Sequence, residues 1–268
     1  MSSRFPISAN LSMLYASMDR DERPGAAAAD GYRFVESWWP FRGPAAEPAE
    51  LESFCSGLDR AGVRLVALNL DAGDVAHGDR GLLSIPTHHE RVVANLDSVA
   101  EILARTGCRT VNALYGNRAP AFDPEQQDRL ALEQIVAVAD RLGENGATVV
   151  VETLNSVDSP AFPLTDIGDS AAFVRRANEL GRYRNVRLLL DTYHLAAMGV
   201  DPSHAVREYG ALIGHVQFAD FPGRGRPGTG RVDFAAVETQ LTAIAYRGYI
   251  AFEFDPAVTS EQGEEGFA

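Results

Sequence analysis

Short apolar, β-rich runs recur along the chain at FPISANLSML, YRFVESWW, VRLVALNL, RTVNALYG, ATVVVETLN, VRLLLDTYH, IGHVQFAD and YIAFEFDP. Between many of them lie segments with helical periodicity or a helix start signal. These include PAELESFCSGLDRAG from Pro48, PTHHERVVANLDSVAEILARTG from Pro86 and DPEQQDRLALEQIVAVADRLGENG from Asp123. Several open on Pro or Asp and close on Gly, the expected helix punctuation. Strands alternating with helices predict parallel pairing, because only a crossover returns the chain in the same direction. The stretches Val149 to Val151 and Leu188 to Leu190 are apolar at every position, as strands buried on both faces require. The pattern predicts one α/β domain over residues 1–268, a (β/α)8 barrel of ordinary length. The first crossover, Tyr15 to Gly31, is polar and then alanine-rich, so only a short helix is expected there. The tail after Pro256, with Glu261, Glu264 and Glu265, leaves room for a brief last helix at most.

Four of the later runs end in a polar residue. They are Glu152 in VVVETLN, Asp191 in LLLDTYH, Gln217 in HVQFAD and Glu253 in AFEFDP. A barrel gathers its strand ends at one rim, so these side chains are expected to converge. Three carboxylates and an amide oxygen are hard donors that suit one divalent ion, Mg²⁺ or Mn²⁺, whereas zinc favours His or Cys. Without a cation the carboxylates repel one another and shift toward protonation. Any one of these acids alone reads more simply as a solvated strand end or an Arg salt bridge; four in equivalent places reverse that reading.

The flanking residues extend the candidate site. His194 lies three residues past Asp191, and His215 lies two before Gln217 on the same strand face. Either can orient a ligand or bind substrate, and His215 reads equally well as a core histidine. Asn155 reads equally well as a loop cap. The loop PGRGRPGTGR, residues 222–231, combines glycines that allow close backbone approach with Arg224, Arg226 and Arg231. Its place after a strand end favours substrate binding, through Arg224 in particular. The loop LDAGDVAHGDRGLLSIP, residues 70–86, is long enough to form a lid and offers Arg80 as an anion contact.

Composition narrows the chemistry. Hydrophobic residues make up 46% of the chain, enough for a large core, and no apolar run approaches the roughly 20 residues a bilayer span needs. The N-terminus lacks the cationic and apolar regions of a secretory signal, so a cytoplasmic location is expected. Cys55 and Cys108 have no metal-ligand spacing and are expected to be reduced packing residues. All 24 basic residues are Arg. The absence of Lys excludes Schiff-base chemistry on a side chain, pyridoxal enzymes and a P-loop. A net charge of -13 argues against nucleic-acid binding, with the loop at 222–231 as the one local basic patch.

Beyond these readings the chain resembles the hydroxypyruvate isomerase family of xylose-isomerase-like TIM barrels. SANLSML near the start, the AGD and RG loop from Asn69 to Gly81, and GHVQFAD from Gly214 carry the resemblance, together with RGRPGTG from Arg224 and EFDP at Glu253. It covers nearly the whole chain, and relatives of that family include 2-oxo-tetronate isomerases. The resemblance implies metal-dependent, aldose-ketose type isomerisation of a small hydroxy-oxo acid or sugar through an enediolate. Glu152 and Glu253 would then be the proton-transferring pair, Glu152, Asp191, Gln217 and Glu253 the metal ligands, and Asn69, Arg80, His194, His215 and Arg224 the substrate contacts. No nucleic acid and no membrane are implied as partners, and assembly, a homo-oligomer included, is left open.

The chain also departs from that family. Where the family often reads EYKP and RGEPGTGE, this sequence has Asp255, Arg226 and Arg231. A pairing of Asp255 with Arg226 or Arg231 would exchange the usual charges and suggest a different substrate. A ketose 3-epimerase, an inosose-type dehydratase using His194 as acid, and a non-catalytic sugar-binding relative are the competing readings.

Overall fold

Each of the eight runs forms a strand, and the computed structural model, which describes residues 3–258, closes them into a barrel. The first half runs β1 (Ile7–Asn10), α1 (Leu11–Leu14), α2 (Arg23–Ala29), β2 (Phe34–Ser37), α3 (Pro48–Ala61), β3 (Arg64–Asn69), α4 (His89–Thr106) and β4 (Thr110–Asn112). The second half runs α5 (Pro124–Gly143), β5 (Thr148–Glu152), α6 (Ile167–Leu180), β6 (Val186–Asp191), α7 (Thr192–Ala197), α8 (Pro202–Tyr209), β7 (Ile213–Phe218), α9 (Phe234–Ala243) and β8 (Ile250–Phe252). Every strand pairs in parallel with its sequence neighbours, and β8 closes on β1.

The helix punctuation works as the sequence suggests. Asp123 accepts from the backbone N–H of Gln126 and Pro124 occupies the first turn of α5. Gly62 ends α3 with φ 67°, a left-handed conformation that a side chain disfavours. The run from Pro86 begins instead with a 3₁₀ turn, Pro86–His88, before α4. The first crossover holds only the short α1 and α2, as expected. The tail with Glu261, Glu264 and Glu265 lies outside the described residues.

Strand alternation decides what each residue faces. Val149, Val151, Leu188 and Leu190 pack into the large apolar core with Ile135, Val138 and Val174 from α5 and α6. The intervening Val150 and Glu152 on β5, and Leu189 and Asp191 on β6, therefore point into the barrel. The same parity turns Asn10, Glu36, Asn69, Asn112, Gln217 and Glu253 inward, all near the C-terminal strand ends. Register shifts at Val35/Glu36 and at Leu188/Leu189 adjust the pairing just below this rim. Cys55 and Cys108 are buried and unbridged. Among the described residues, no helix is long and apolar enough to cross a membrane.

Candidate active site

The four polar strand ends do meet at one end of the barrel. Glu152 and Asp191 close β5 and β6, Gln217 is the penultimate residue of β7, and Glu253 directly follows β8. All four are buried. Each is held by a specific partner. Asn112 Nδ2 donates to Glu152 Oε2 at 2.8 Å, and Asp191 Oδ1 accepts from the backbone N–H groups of Tyr193 and His194 as it caps α7. Glu253 Oε1 accepts from Asn10 Nδ2 and from Trp38 Nε1, both at 2.8 Å.

Behind these residues lies a carboxylate that sequence reasoning did not single out. Glu36, on β2, is buried and accepts from Asn10 Nδ2 at 2.8 Å and from Gln217 Nε2 at 2.7 Å, while His215 Nε2 lies 2.6 Å from its other oxygen. His215, a candidate substrate contact, is thus engaged by Glu36 and is not among the residues lining the cavity. The one available signal for Glu36 was its position: the only acidic residue inside the second apolar run, YRFVESWW.

The electrostatics match a site built for positive charge. Burial, reinforced by Asp191, pushes the Glu152 carboxyl up to about 8. Burial likewise raises Asp191, and lifts Glu253 well above the usual carboxylate range. Arg224 reaches into the cluster, with Nη2 at 3.3 Å from Asp191 Oδ2 and 2.5 Å from Glu253 Oε2. Burial opposes its charge, but Glu253, Asp191 and Glu152 outweigh that and raise its pKa. Glu152, Asp191 and His194 each present one ligand atom, and these atoms lie within 4.8 Å of one another, so the group is able to hold a divalent cation. Gln217 Oε1 is buried and has no hydrogen-bond partner. An orphaned amide oxygen beside carboxylates that resist ionising is what a hard cation would satisfy.

A cavity of about 270 Å³ opens above this cluster. Glu152, Glu253, His194 and Arg224 form its floor, and Asn69 and Arg80 also line it, with Trp38 and Trp39 on one wall. His194 is buried, and its ring is held well below its ordinary pKa by that burial and by Arg224 and Arg80. Its Nδ1 accepts from the backbone N–H of Asn155 at 3.1 Å, and its Nε2 lies 3.7 Å from Glu152 Oε1. Asn155 also caps its own loop, its Oδ1 accepting from Asp158 N, as the loop-cap reading expects.

Two loops complete the rim. In the first, Arg80 donates to Ser159 Oγ and to the carbonyls of Val75 and Asp79, and among the described residues it forms no ion pair. Gly81 bridges to Tyr115 with φ 101°, and a Cβ there would collide with the Leu114 carbonyl oxygen, so only glycine fits. In the second, the buried Asp220 carboxylate accepts from the backbone N–H groups of Phe221, Gly228, Gly230 and Val232, folding the loop around itself. That fold delivers Arg224 to the cluster with φ 62°, an unusual conformation for a residue with a side chain.

The expected pairing of Asp255 with Arg226 or Arg231 is absent from the described residues. Arg226 instead lies over the Phe254 ring, 5.0 Å from its centre, and Asp255 Oδ1 turns back to accept from Ala257 N. A short turn satisfies the carboxylate locally, and the ring gives the guanidinium an apolar partner.

Comparison with known proteins places this architecture. A protein named "Putative hydroxypyruvate isomerase" from Streptomyces coelicolor is 43% identical over 249 residues, covering 92% of this chain and 89% of the relative. Hydroxypyruvate isomerase from Escherichia coli is 28% identical, covering 96% and 95%. A crystal structure described as an AP endonuclease, family 2, from Brucella melitensis superposes with a TM-score of 0.84 at 26% identity, covering 97% and 96%. The family model described as xylose isomerase-like TIM barrel matches residues 24–266, and the chain belongs to that family.

Proposed function

We propose that this protein is a divalent-metal-dependent isomerase that moves a carbonyl between neighbouring carbons of a small hydroxy-oxo acid. The observation that carries this reading is the gathering of Glu152, Asp191, Glu253 and the unpartnered Gln217 Oε1 at one end of the barrel, where Glu152 and Glu253 line one cavity. These four residues would hold the ion, with Mg²⁺ or Mn²⁺ favoured by the all-oxygen donor set. When bound, such a cation supplies the positive charge that stabilises an oxyanion. The similarity to hydroxypyruvate isomerases supports the same chemistry.

The chain's own groups fit proton transfer between adjacent carbons. Asn112 engages Oε2 of Glu152, which leaves Oε1 as the free oxygen to take or return a proton. Glu253 Oε1 accepts from Asn10 and Trp38, and Oε2, its working atom, is paired with Arg224. The two carboxylates stand on β5 and after β8, which suits exchange on opposite faces of a substrate. Because Asn155 N–H occupies His194 Nδ1, the neutral ring carries its proton on Nε2. His194 therefore serves as a hydrogen-bond donor to a substrate oxygen rather than as a metal ligand. Arg80, without a carboxylate partner among the described residues, binds the acid end of the substrate, with Asn69 beside it.

The test is proton exchange in heavy water with a panel of C3 to C6 hydroxy-oxo acids and ketoses and added Mg²⁺ or Mn²⁺. Metal-dependent label at the carbon next to the carbonyl of an acid is expected. Exchange from ketoses alone would replace the reading with a 3-epimerase, and exchange from no substrate would remove it.

A further inference from the structure

Gln217 is the one neutral member of the proposed ligand set, and an amide is ambiguous. Either its oxygen or its nitrogen can face a given neighbour, and only the oxygen can bind a cation. What resolves the ambiguity is Glu36. A carboxylate only accepts, so the amide atom at 2.7 Å from Glu36 Oε1 must be the donor Nε2. Oε1 is thereby turned away, and it is the atom left buried without a partner. The same Glu36 Oε1 accepts from Asn10 Nδ2, and Asn10 also donates to Glu253 Oε1. His215 Nε2 at 2.6 Å from Oε2 fixes the carboxylate from the other side.

We propose that Glu36 is a positioning residue, which sets Gln217 with its oxygen toward the cation site and, through Asn10, holds Glu253 in register with it. The inference rests on the functional reading above. Glu36 is not among the residues lining the cavity, and acts by converting an amide into a one-sided oxygen ligand. Its contacts account for an acidic side chain buried on β2, because Asn10, Gln217 and His215 engage its oxygens.

The experiment measures Mn²⁺ binding by calorimetry, independently of turnover. Glu36→Gln can donate as well as accept, which lets the Gln217 amide turn over. Affinity is expected to fall about 10- to 100-fold, as for other groups that orient metal ligands. Adding Gln217→Glu should recover most of that loss, because a carboxylate at position 217 offers oxygen in either orientation. An affinity within about twofold of the parent in Glu36→Gln, or a double variant no better than the single, overturns the inference. A structure of the unaltered protein with Mn²⁺ gives a second readout that needs no variant: Gln217 Nε2 should remain on Glu36, and an amide turned away from Glu36 overturns the proposal. Failure of the unaltered protein to bind Mn²⁺ would remove the proposed function along with it, whereas binding indifferent to Glu36 removes only the positioning role.

Discussion

The two halves of the barrel contribute to the site in different currencies. β5 to β8 end in Glu152, Asp191, Gln217 and Glu253, three carboxylates and an amide oxygen. β1 to β4 present Asn10, Glu36, Asn69 and Asn112 at the equivalent inward positions. Two of these asparagines donate to neighbouring strands: Asn112 to Glu152, and Asn10 to both Glu36 and Glu253. The second half carries three of the four buried acids, and the first supplies asparagine donors to two of them, while its own Glu36 is held in turn by Gln217 and His215. Clustered carboxylates with raised pKa values keep a single geometry only where such donors fix them, so the quieter half is as much a part of the site as the charged one.

The contrast breaks most visibly at the proton-transferring pair. Glu152→Gln and Glu253→Gln should each lower turnover by about 10² to 10⁴-fold, the usual cost of losing a general base, while circular dichroism shows an unchanged fold. Chelation should abolish activity in the unaltered protein, with Mn²⁺ or Mg²⁺ restoring it and raising the melting temperature, since a ligand that binds only the folded state stabilises it. Near-normal turnover in either variant would end the paired-glutamate mechanism.

The donor half predicts a smaller loss. Asn112→Leu removes the hydrogen bond to Glu152 Oε2 and leaves the carboxylate free to rotate. Turnover or metal affinity should fall about 10- to 100-fold, in the range of other outer-shell substitutions. Steady-state kinetics beside Mn²⁺ titration would check it, and an unchanged protein would mean the amides are packing residues only.

This division also explains what could be read from the sequence. A polar residue at the end of an apolar run is conspicuous, because burying it demands a reason, and three acids and one amide at such ends point to Glu152, Asp191, Glu253 and Gln217. Asn10 in SAN and Asn112 in TVN are not conspicuous, since asparagine before a loop is ordinary turn chemistry. Glu36 lies inside its run rather than at the end, and its meaning depends on Gln217 and His215, some 180 residues further along the chain. His215 was placed on the correct strand face, but which group it meets is a property of barrel closure, invisible to a strand read alone. The loops were legible as loops; that Asp220 folds one of them around its own carboxylate through backbone N–H groups was not, because backbone partners carry no side-chain signature.

Arg80 sharpens the comparison from the substrate side, as a cation carried by a loop of the donor half. Arg80→Met should lower kcat/KM for a carboxylate substrate by roughly 10-fold, consistent with about 1.5 kcal/mol for a charge-assisted hydrogen bond, mostly through KM. A neutral ketose, if it is turned over at all, should be little affected. Equal losses on both substrates would assign Arg80 to holding the loop through Ser159, Val75 and Asp79 instead.

The smallest effect is expected where the chain departs from its relatives. Asp255 and Arg226 sit on adjacent loops of the charged half, yet one closes a turn on Ala257 and the other covers Phe254. Their substitutions should therefore act separately. Asp255→Lys and Arg226→Glu are each expected to change activity modestly, and the double variant should equal their sum to within about 0.5 kcal/mol, as for residues that share no partner. Arg231→Glu should behave the same way, because its described contact is a backbone N–H to the Phe221 carbonyl rather than an ion pair. A coupling well beyond that bound in either double-mutant cycle would show that the charges meet during turnover. The loop charges would then join the donor half in shaping the pocket, and the altered motif would bear on which acid the cavity accepts.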